Sequence, residues 1–588
     1  MYKRLISAFL TVIMLFSLCP LVSFAETGSE PTQREHSVEK REFTLYLKDL
    51  SVTAEKPLPL YFADGIGDLP YMEISDFVPL MCKLFQEMNT DENYDIDVDN
   101  RYPIVFLTRE SGFVATLDFE EDFISFMDYA AFMSRSQDST LLDVLSFTAN
   151  DSENKPLLFQ RDKEKSFDRY GDVKKIDLTS YGIDIFCVDD HCYIPLQTLN
   201  DIFFYPATGY GLLYNGEAVF LAGGADLYDA NTGEQTPLGE HYYSIPTGQQ
   251  RSNEFAKYCY NELCLVLDLL YGLKEPHDIS SFRQIFLEIG FDEALSSNDP
   301  VEADRALSQF IDYYLDDLHS GFDTFSPLAG PQEIEDTSGA STRKIYGNLG
   351  QYMSARYEVF EGAVPRYEEV GNTAYITFDK FDRLSKDARE YYDWHEAGEI
   401  PEDTLGLITY AHEQITREGS PIENVVLDLS CNAGGSVDAA IFVLSWFLGD
   451  AQISVKDMAS GALSTSVYQA DINLDGDFDD EDSIADRNLY CLISPISFSC
   501  GNLVPAALKS SQKVTLLGRT SGGGSCTVQT LSTAYGSLFH ISGRQRLSFQ
   551  KNGSFYDIDR GVDPDYYIND IKNYYNREAL TDFINHLF

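Results

Sequence analysis

Ile493-Ser494-Pro495-Ile496-Ser497-Phe498-Ser499-Cys500-Gly501-Asn502 continues the apolar run Tyr490-Cys491-Leu492-Ile493 and leads into Leu503-Val504-Pro505-Ala506-Ala507-Leu508. The pattern is a buried strand, a tight turn and the start of a helix. A serine at such a turn sits at a helix N-terminus, where free N–H groups and the helix dipole favour negative charge. A nucleophilic serine needs that setting, because its attack on a carbonyl creates an oxyanion. The alternative is that Ser497, Ser499 and Asn502 only cap the helix.

The surrounding chain alternates strand and helix. Ala374 to Phe378, Val425 to Leu429, 489–494 and Val514 to Leu517 read as strands. Leu405 to Arg417, Val437 to Leu448 and 503–510 read as helices. That alternation predicts an α/β domain. Asp428-Leu429-Ser430-Cys431-Asn432-Ala433-Gly434-Gly435 follows one buried strand and opens a helix. Paired glycines there let backbone approach a ligand closely and leave N–H groups free to donate; a plain strand-to-helix turn is the bland reading.

Taken in order, the Asp428–Gly435 loop, the Ser497-Phe498-Ser499-Cys500 turn, Gly518 to Gly524 and Gly561-Val562-Asp563-Pro564-Asp565 resemble the C-terminal-processing (tail-specific) and tricorn-like family of serine peptidases. The resemblance covers roughly 370 to 588, and more loosely 250 to 325. It implies a ClpP/crotonase-like α/β core with Ser499 as nucleophile. Two departures stand out. Ser430 replaces the arginine usual in the family's Asp-Leu-Arg-x-Asn-x-Gly-Gly signature. Gly524 occupies the position where the tail-specific branch has its lysine base. The tricorn-like branch instead uses an upstream histidine, and Asp316-Asp317-Leu318-His319-Ser320 resembles that segment, which makes His319 the expected base. The bland reading of His319 is a residue closing a helix C-terminus. A histidine base needs a group to fix its tautomer; by resemblance the candidates are Ser320 and Asp559. The oxyanion candidates are the backbone N–H groups of Cys500 and of Gly434 or Gly435. Cys500 is a rival nucleophile. Between His319 and the strand near 372 there is too little chain for the family's usual PDZ module.

A second pattern lies at Asp471, Asn473, Asp475, Asp477, Asp479 and Asp482, with Gly476 at the sixth position and Phe478 at the eighth. Oxygen ligands at this spacing are those of a calcium loop. The expectation is a structural calcium ion; the alternative is a solvated acidic loop.

Composition sets the frame. The chain has 588 residues, 44% hydrophobic and 13% aromatic, enough for large cores, and is expected to be multidomain. A net charge of −51 disfavours nucleic acid and anionic membranes as partners. Lys3 and Arg4, the apolar run Leu5 to Phe16 and Ser23-Phe24-Ala25 read as a signal peptide (1–25), so a secreted protein without a membrane span in its mature form is expected. Residues 26–42 read as a flexible leader and 43–245 as a β-rich accessory domain. In it Tyr71–Val78 faintly echoes Tyr193–Asn200, suggesting two related units. A helical subdomain (250–325), a connection (326–369) and the α/β core (370–588) follow. Of ten cysteines, Cys187 and Cys192 suit a hairpin staple, whereas Cys259 and Cys264 point to different faces of a helix.

The expected function is that of an exported serine endopeptidase acting on proteins or peptides. Two alternatives remain. One is a catalytically inactive binding protein on a peptidase fold. The other is a cell-surface scaffold whose residues 43–245 contact cell wall or a partner protein.

Overall fold

In the α/β core, alternate residues of each central strand enter two different cores. Ala374 and Ile376, Val425 and Leu427, and Cys491 and Ile493 pack against Ile408, Phe442, Val443, Leu503 and Val504. Tyr375, Val426, Tyr490 and Leu492 pack on the opposite side against Tyr352, Ala355, Tyr574, Leu580 and Ile584. Helices on both faces explain why these strands read as unbroken apolar runs. The computed structural model describes residues 37–47, 57–64, 68–88, 94–134, 158–161, 167–228, 234–332, 338–385 and 387–587. The sheet order is Tyr367–Val370, Thr373–Thr377, Asn424–Asp428, Asn488–Ile493, Val514–Gly518, Tyr566–Tyr567. The first pair is antiparallel and the rest are parallel. Helices Thr404–Thr416, Val437–Leu448 and Cys500–Ser510 lie close to the expected bounds.

A second, antiparallel sheet positions the upstream histidine. Its long strand Leu538–Ser548 pairs with Cys526–Ser532, with Ala451–Asp457 and with the short strand Gly321–Thr324, where Gly321 faces His540. Segments about two hundred positions apart in the chain are thereby paired.

The accessory region forms a seven-stranded sheet and a five-stranded antiparallel sheet. The two echoed segments are neighbours: Tyr71–Glu73 pairs antiparallel with His191–Pro195, and each runs into a helix. Cys187 and Cys192 are disulfide-bonded across the hairpin, while Cys259 and Cys264 are buried and free.

Three expectations change. Strand Val38–Tyr46 begins inside the segment 26–42 read as a leader; it pairs with Leu58–Ala63 from Val38 to Phe43. Its polar side chains are exposed, and Arg41 lies over the Phe62 ring, so backbone pairing rather than burial defines it. The connection 326–369 contains the 21-residue helix Ala340–Phe360. That helix buries only Tyr352, Ala355 and Arg356, and its N-terminus is capped from outside by Asp316, so its own sequence carried little signal. The accessory region does not end near 245 as a separate core. One apolar cluster runs from Leu45 to Ile541, Phe159–Arg161 pairs with Leu463–Ala470, and Gln197 donates to the Ser532 carbonyl. The expected signal peptide, with Cys19, and the start of the leader lie outside the described residues. Among the described residues no helix is long and apolar enough to cross a membrane.

Candidate active site

The serine turn is tied to the glycine loop by backbone and hydroxyl contacts. Ser497 Oγ donates to the Leu429 carbonyl (2.7 Å) and accepts from Ser494 N (2.9 Å). Phe498 N donates to the Asn432 carbonyl (3.1 Å), and Ser499 N to the Gly523 carbonyl (2.9 Å). Ser499 is held at φ 56°, ψ −124°, and its hydroxyl caps nothing. A non-glycine residue in that region costs on the order of 1–3 kcal/mol and persists only when its surroundings impose it. The capping reading therefore fails for Ser499. Ser497 locks the turn, and Asn502 donates to the Ile558 carbonyl (2.9 Å) while accepting from Ser521 Oγ (2.7 Å).

Gly434 lies directly against the serine. A Cβ on Gly434 would stand 2.6 Å from Ser499 Cβ and 3.1 Å from Cys500 N, so only glycine keeps this approach open. Its own N–H is committed to Asn432 Oδ1 (2.9 Å). The Phe381 backbone holds the loop from the other side: Phe381 N donates to the Gly434 carbonyl and the Phe381 carbonyl accepts from Ser436 N. Of the three oxyanion candidates, Gly434 is thus spent, and the N–H groups of Cys500 and Gly435 have no partner among the described residues. Cys500 Sγ points at the Gly435 carbonyl (3.2 Å), and burial pushes its thiol up to about 12, which removes it as a nucleophile at neutral pH.

His319 follows the helical segment Pro300–Leu315 in a turn rather than within it. Asp317 organises the turn: Oδ1 accepts the His319 backbone N–H (3.1 Å) and Oδ2 accepts Ser320 Oγ (2.8 Å). The buried imidazole packs on the Phe498 ring, centroids 4.6 Å apart. Phe498, the residue preceding Ser499, is therefore the link between His319 and the serine turn; no hydrogen bond joins Ser499 and His319 directly. Catalytic hydrogen bonds are often long before substrate arrives. Burial lowers the His319 imidazole below its ordinary value; the charges of Asp317 and Asp559 oppose this, and His540 adds to it. Ser320, expected as an orienting hydroxyl, is instead spent on Asp317 and on the Ser542 N–H (3.0 Å). Asp559 lies within electrostatic reach of His319. Its Oδ1 accepts from Ser525 N (3.0 Å) and Ser525 Oγ (2.9 Å).

Both sequence departures have a structural reason. At Gly524 (φ 82°) a Cβ would come within 2.4 Å of the Phe498 ring, so the ring that contacts His319 fills the space a lysine would need. Opposite Asp428, two arginines supply the charge that Ser430 lacks. Arg577, from the C-terminal helix Arg577–Ile584, bonds Asp428 Oδ2 (2.8 Å), and Arg356 pairs with Asp379 nearby. Burial alone would raise the Asp428 carboxyl, but Arg577 and Arg356 hold it below the usual range. Ser430 Oγ meets Tyr575 Oη (3.1 Å). Arg577, Arg356, Asp317, Phe381 and Ser525 were not singled out from the sequence; only Asp317, two residues before His319, carried a local turn signal.

In the acidic loop, Asp471 and Asp482 are buried and close the turn. Asp471 accepts from Gly476 N and Tyr392 Oη (both 2.7 Å), and Asp482 from Ile472 N (2.6 Å). Asn473 Nδ2 donates to Asp475 Oδ2 (2.9 Å), and Asp475, Asp477 and Asp479 are exposed. Among the described residues no three His, Cys, Asp or Glu side chains stand together as a metal-binding group.

Residues 372–568 match the model of peptidase family S41. No curated protein matches the chain. Similar solved structures include a photosystem II D1 C-terminal processing protease, at 18% identity over 33% of this chain and 42% of that one, TM-score 0.25. Others are a lipoprotein from Streptococcus agalactiae, at 14% identity over 58% and 98%, TM-score 0.35, and mature CPAF complexed with lactacystin, at 11% over 57% and 99%, TM-score 0.36. The chain thus spans 42% of the length of the D1 processing protease. The glycine loop, the serine turn and the parallel strands from Thr373–Thr377 to Tyr566–Tyr567 all fall inside the segment that matches the model of peptidase family S41.

Proposed function

We propose that the chain is an exported serine endopeptidase cutting proteins or peptides through an acyl-enzyme. The observation that carries the reading is Ser499: strained, uncapped, flanked by the bare backbone of Gly434, and joined to His319 through the Phe498 ring. In the proposed reaction Ser499 Oγ bonds to the peptide carbonyl carbon while its proton passes to His319. The resulting oxyanion is met by the N–H groups of Cys500 and Gly435. His319 then protonates the leaving amine as the C–N bond breaks, and water hydrolyses the ester by the reverse proton path. Phe378, Asp379, Lys380 and Asp382, chain neighbours of the Phe381 that holds the glycine loop, line a cavity of about 970 Å³ with Met353 and Tyr357 of helix Ala340–Phe360. Export is supported by the N-terminal signal pattern and the Cys187–Cys192 disulfide.

The test is labelling by a fluorophosphonate, and cleavage of an unfolded protein, as functions of pH. Because burial lowers the His319 imidazole, the neutral base persists below pH ~6.5. Activity is expected to be full at neutral pH and to fall only on acidification below that value. No labelling between pH 5 and 9 would turn the reading to the inactive binding protein, and attention to contacts of residues 43–245 with cell wall or partner protein.

We further propose that the loop 471–482 takes a structural calcium ion. Ligand spacing supports this, as does the closing of the loop on two buried carboxylates, Asp471 and Asp482. Binding requires Asp475 and Asp477 to turn inward. Calcium at ~100-fold excess over Kd should stabilise the protein by about 2.7 kcal/mol. A melting temperature that does not respond to calcium or to chelator, or responds equally in Asp475→Asn/Asp477→Asn, would overturn it.

A further inference from the structure

We infer that Ser525 and Arg546 are positioning residues for the proposed base: together they pin one oxygen of Asp559 and so hold that carboxylate beside His319. The inference rests on the peptidase reading above.

The geometry is a short relay. Arg546 is buried on strand Leu538–Ser548; its Nε donates to Ser525 Oγ (2.8 Å) and its Nη2 to Asp557 Oδ1 (2.5 Å). Ser525 Oγ in turn donates to Asp559 Oδ1 (2.9 Å), and the Ser525 N–H reaches the same oxygen (3.0 Å). Arg546 Nη2 itself stands 3.9 Å from Asp559 Oδ1, close enough to attract but too far to bond. Asp557 Oδ1 also accepts the Asp559 N–H (2.9 Å), so both ends of Asp559 are tied to the same guanidinium. Asp559 Oδ2 makes no hydrogen bond among the described residues.

The Asp559 backbone is built into the site as well. Its carbonyl accepts from Gly524 N (3.1 Å), the Phe498 ring lies over Gly524, and the same ring contacts His319. A carboxylate fixed at one oxygen keeps the other available to an imidazolium formed during the reaction. Ser525 matters because it intervenes between Asp559 and Arg546. Without its hydroxyl, Asp559 can close the 3.9 Å gap to Arg546 and leave His319. The other charged or titratable groups around His319 are Asp317 on its own turn and His540 on strand Leu538–Ser548, the latter paired with Asp323 (2.8 Å). Around Asp559 they are Asp557, Arg546, Tyr271 and Cys526. None of these touches the Ser525 hydroxyl except Arg546.

The experiment compares the full-length wild type with Ser525→Ala and Ser525→Thr, measuring fluorophosphonate labelling, kcat and KM on one peptide, and kcat/KM against pH. Ser525→Ala is expected to lower kcat by ~10-fold with KM nearly unchanged, a misplacement effect. The acid limb of kcat/KM should move to lower pH, because the imidazolium loses an anionic neighbour. Ser525→Thr should restore both. A wild type that labels and an Ser525→Ala variant matching it in kcat and limb would overturn this inference alone. So would a loss of kcat with an unmoved limb that threonine does not restore, since that marks a purely structural role. A wild type that never labels would overturn the peptidase reading, and this inference with it.

Discussion

Ser499→Ala is expected to abolish fluorophosphonate labelling and to lower peptide cleavage by about 10⁴-fold or more, with the fold intact. His319→Ala should fall to a similar floor, and the double variant should be no worse, because in the proposed reaction Ser499 and His319 act as one unit. The structure adds a second readout. Ser499 sits at φ 56°, ψ −124°, so Ser499→Gly should lose activity while stability rises by about 1 kcal/mol as the strain is relieved. Loss of activity with no gain, or a loss, of stability in Ser499→Gly would mean the turn is not held under strain by its contacts to Leu429, Asn432 and Gly523. Labelling that survives Ser499→Ala would place the nucleophile elsewhere.

The second large effect is on stability. Arg577→Ala is expected to destabilise the core by about 3–5 kcal/mol, because it leaves the fully buried Asp428 carboxylate without its bonded partner. Arg577 also donates to Thr377 Oγ1 (3.0 Å) and to the Tyr574 carbonyl (3.2 Å), so one guanidinium ties two parallel strands to the C-terminal segment. The pH sign follows from the direction of the Asp428 shift. A carboxyl held below its unfolded value stabilises the fold above that value, near 3.9, and loses the contribution as pH falls through the lower folded value. The destabilisation by Arg577→Ala should therefore be full at neutral pH and shrink under strong acid. Denaturant unfolding at pH 7 and at pH 3 measures both. A cost under about 1 kcal/mol at pH 7 would show that Arg356 alone suffices for Asp428. Because Asp428 directly precedes the loop 429–435, the variant should also impair the site while the serine itself is untouched.

Some features are local and were therefore legible in the chain. The central strands and their helices announce themselves by apolar runs and periodicity, since each is buried on its own account. The paired glycines and the serine turn are equally readable, because positive φ at Gly434 and Gly435 and close backbone approach demand particular residues at particular positions. The Cys187–Cys192 hairpin belongs here too, its turn being made by Asp189 and Asp190 at positive φ. Helix Ala340–Phe360 was not legible. It buries three side chains of twenty-one residues, and its cap, Asp316, lies outside it.

By itself, then, the sequence determined the α/β alternation, the serine turn, the glycine loop and the histidine segment as candidates. Each of these follows from residues within a few positions of one another. Only the tertiary structure decided what those candidates touch. Pairing of Gly321–Thr324 with Leu538–Ser548 brought His319 to Phe498, and the Phe498 ring took the space above Gly524. Asn432 claimed the Gly434 N–H, Asp317 claimed Ser320, and Arg577 answered for the arginine missing at Ser430. A side chain's partner is chosen by packing and by which donors remain unsatisfied once the backbone has folded, and neither is written in any short stretch of the chain.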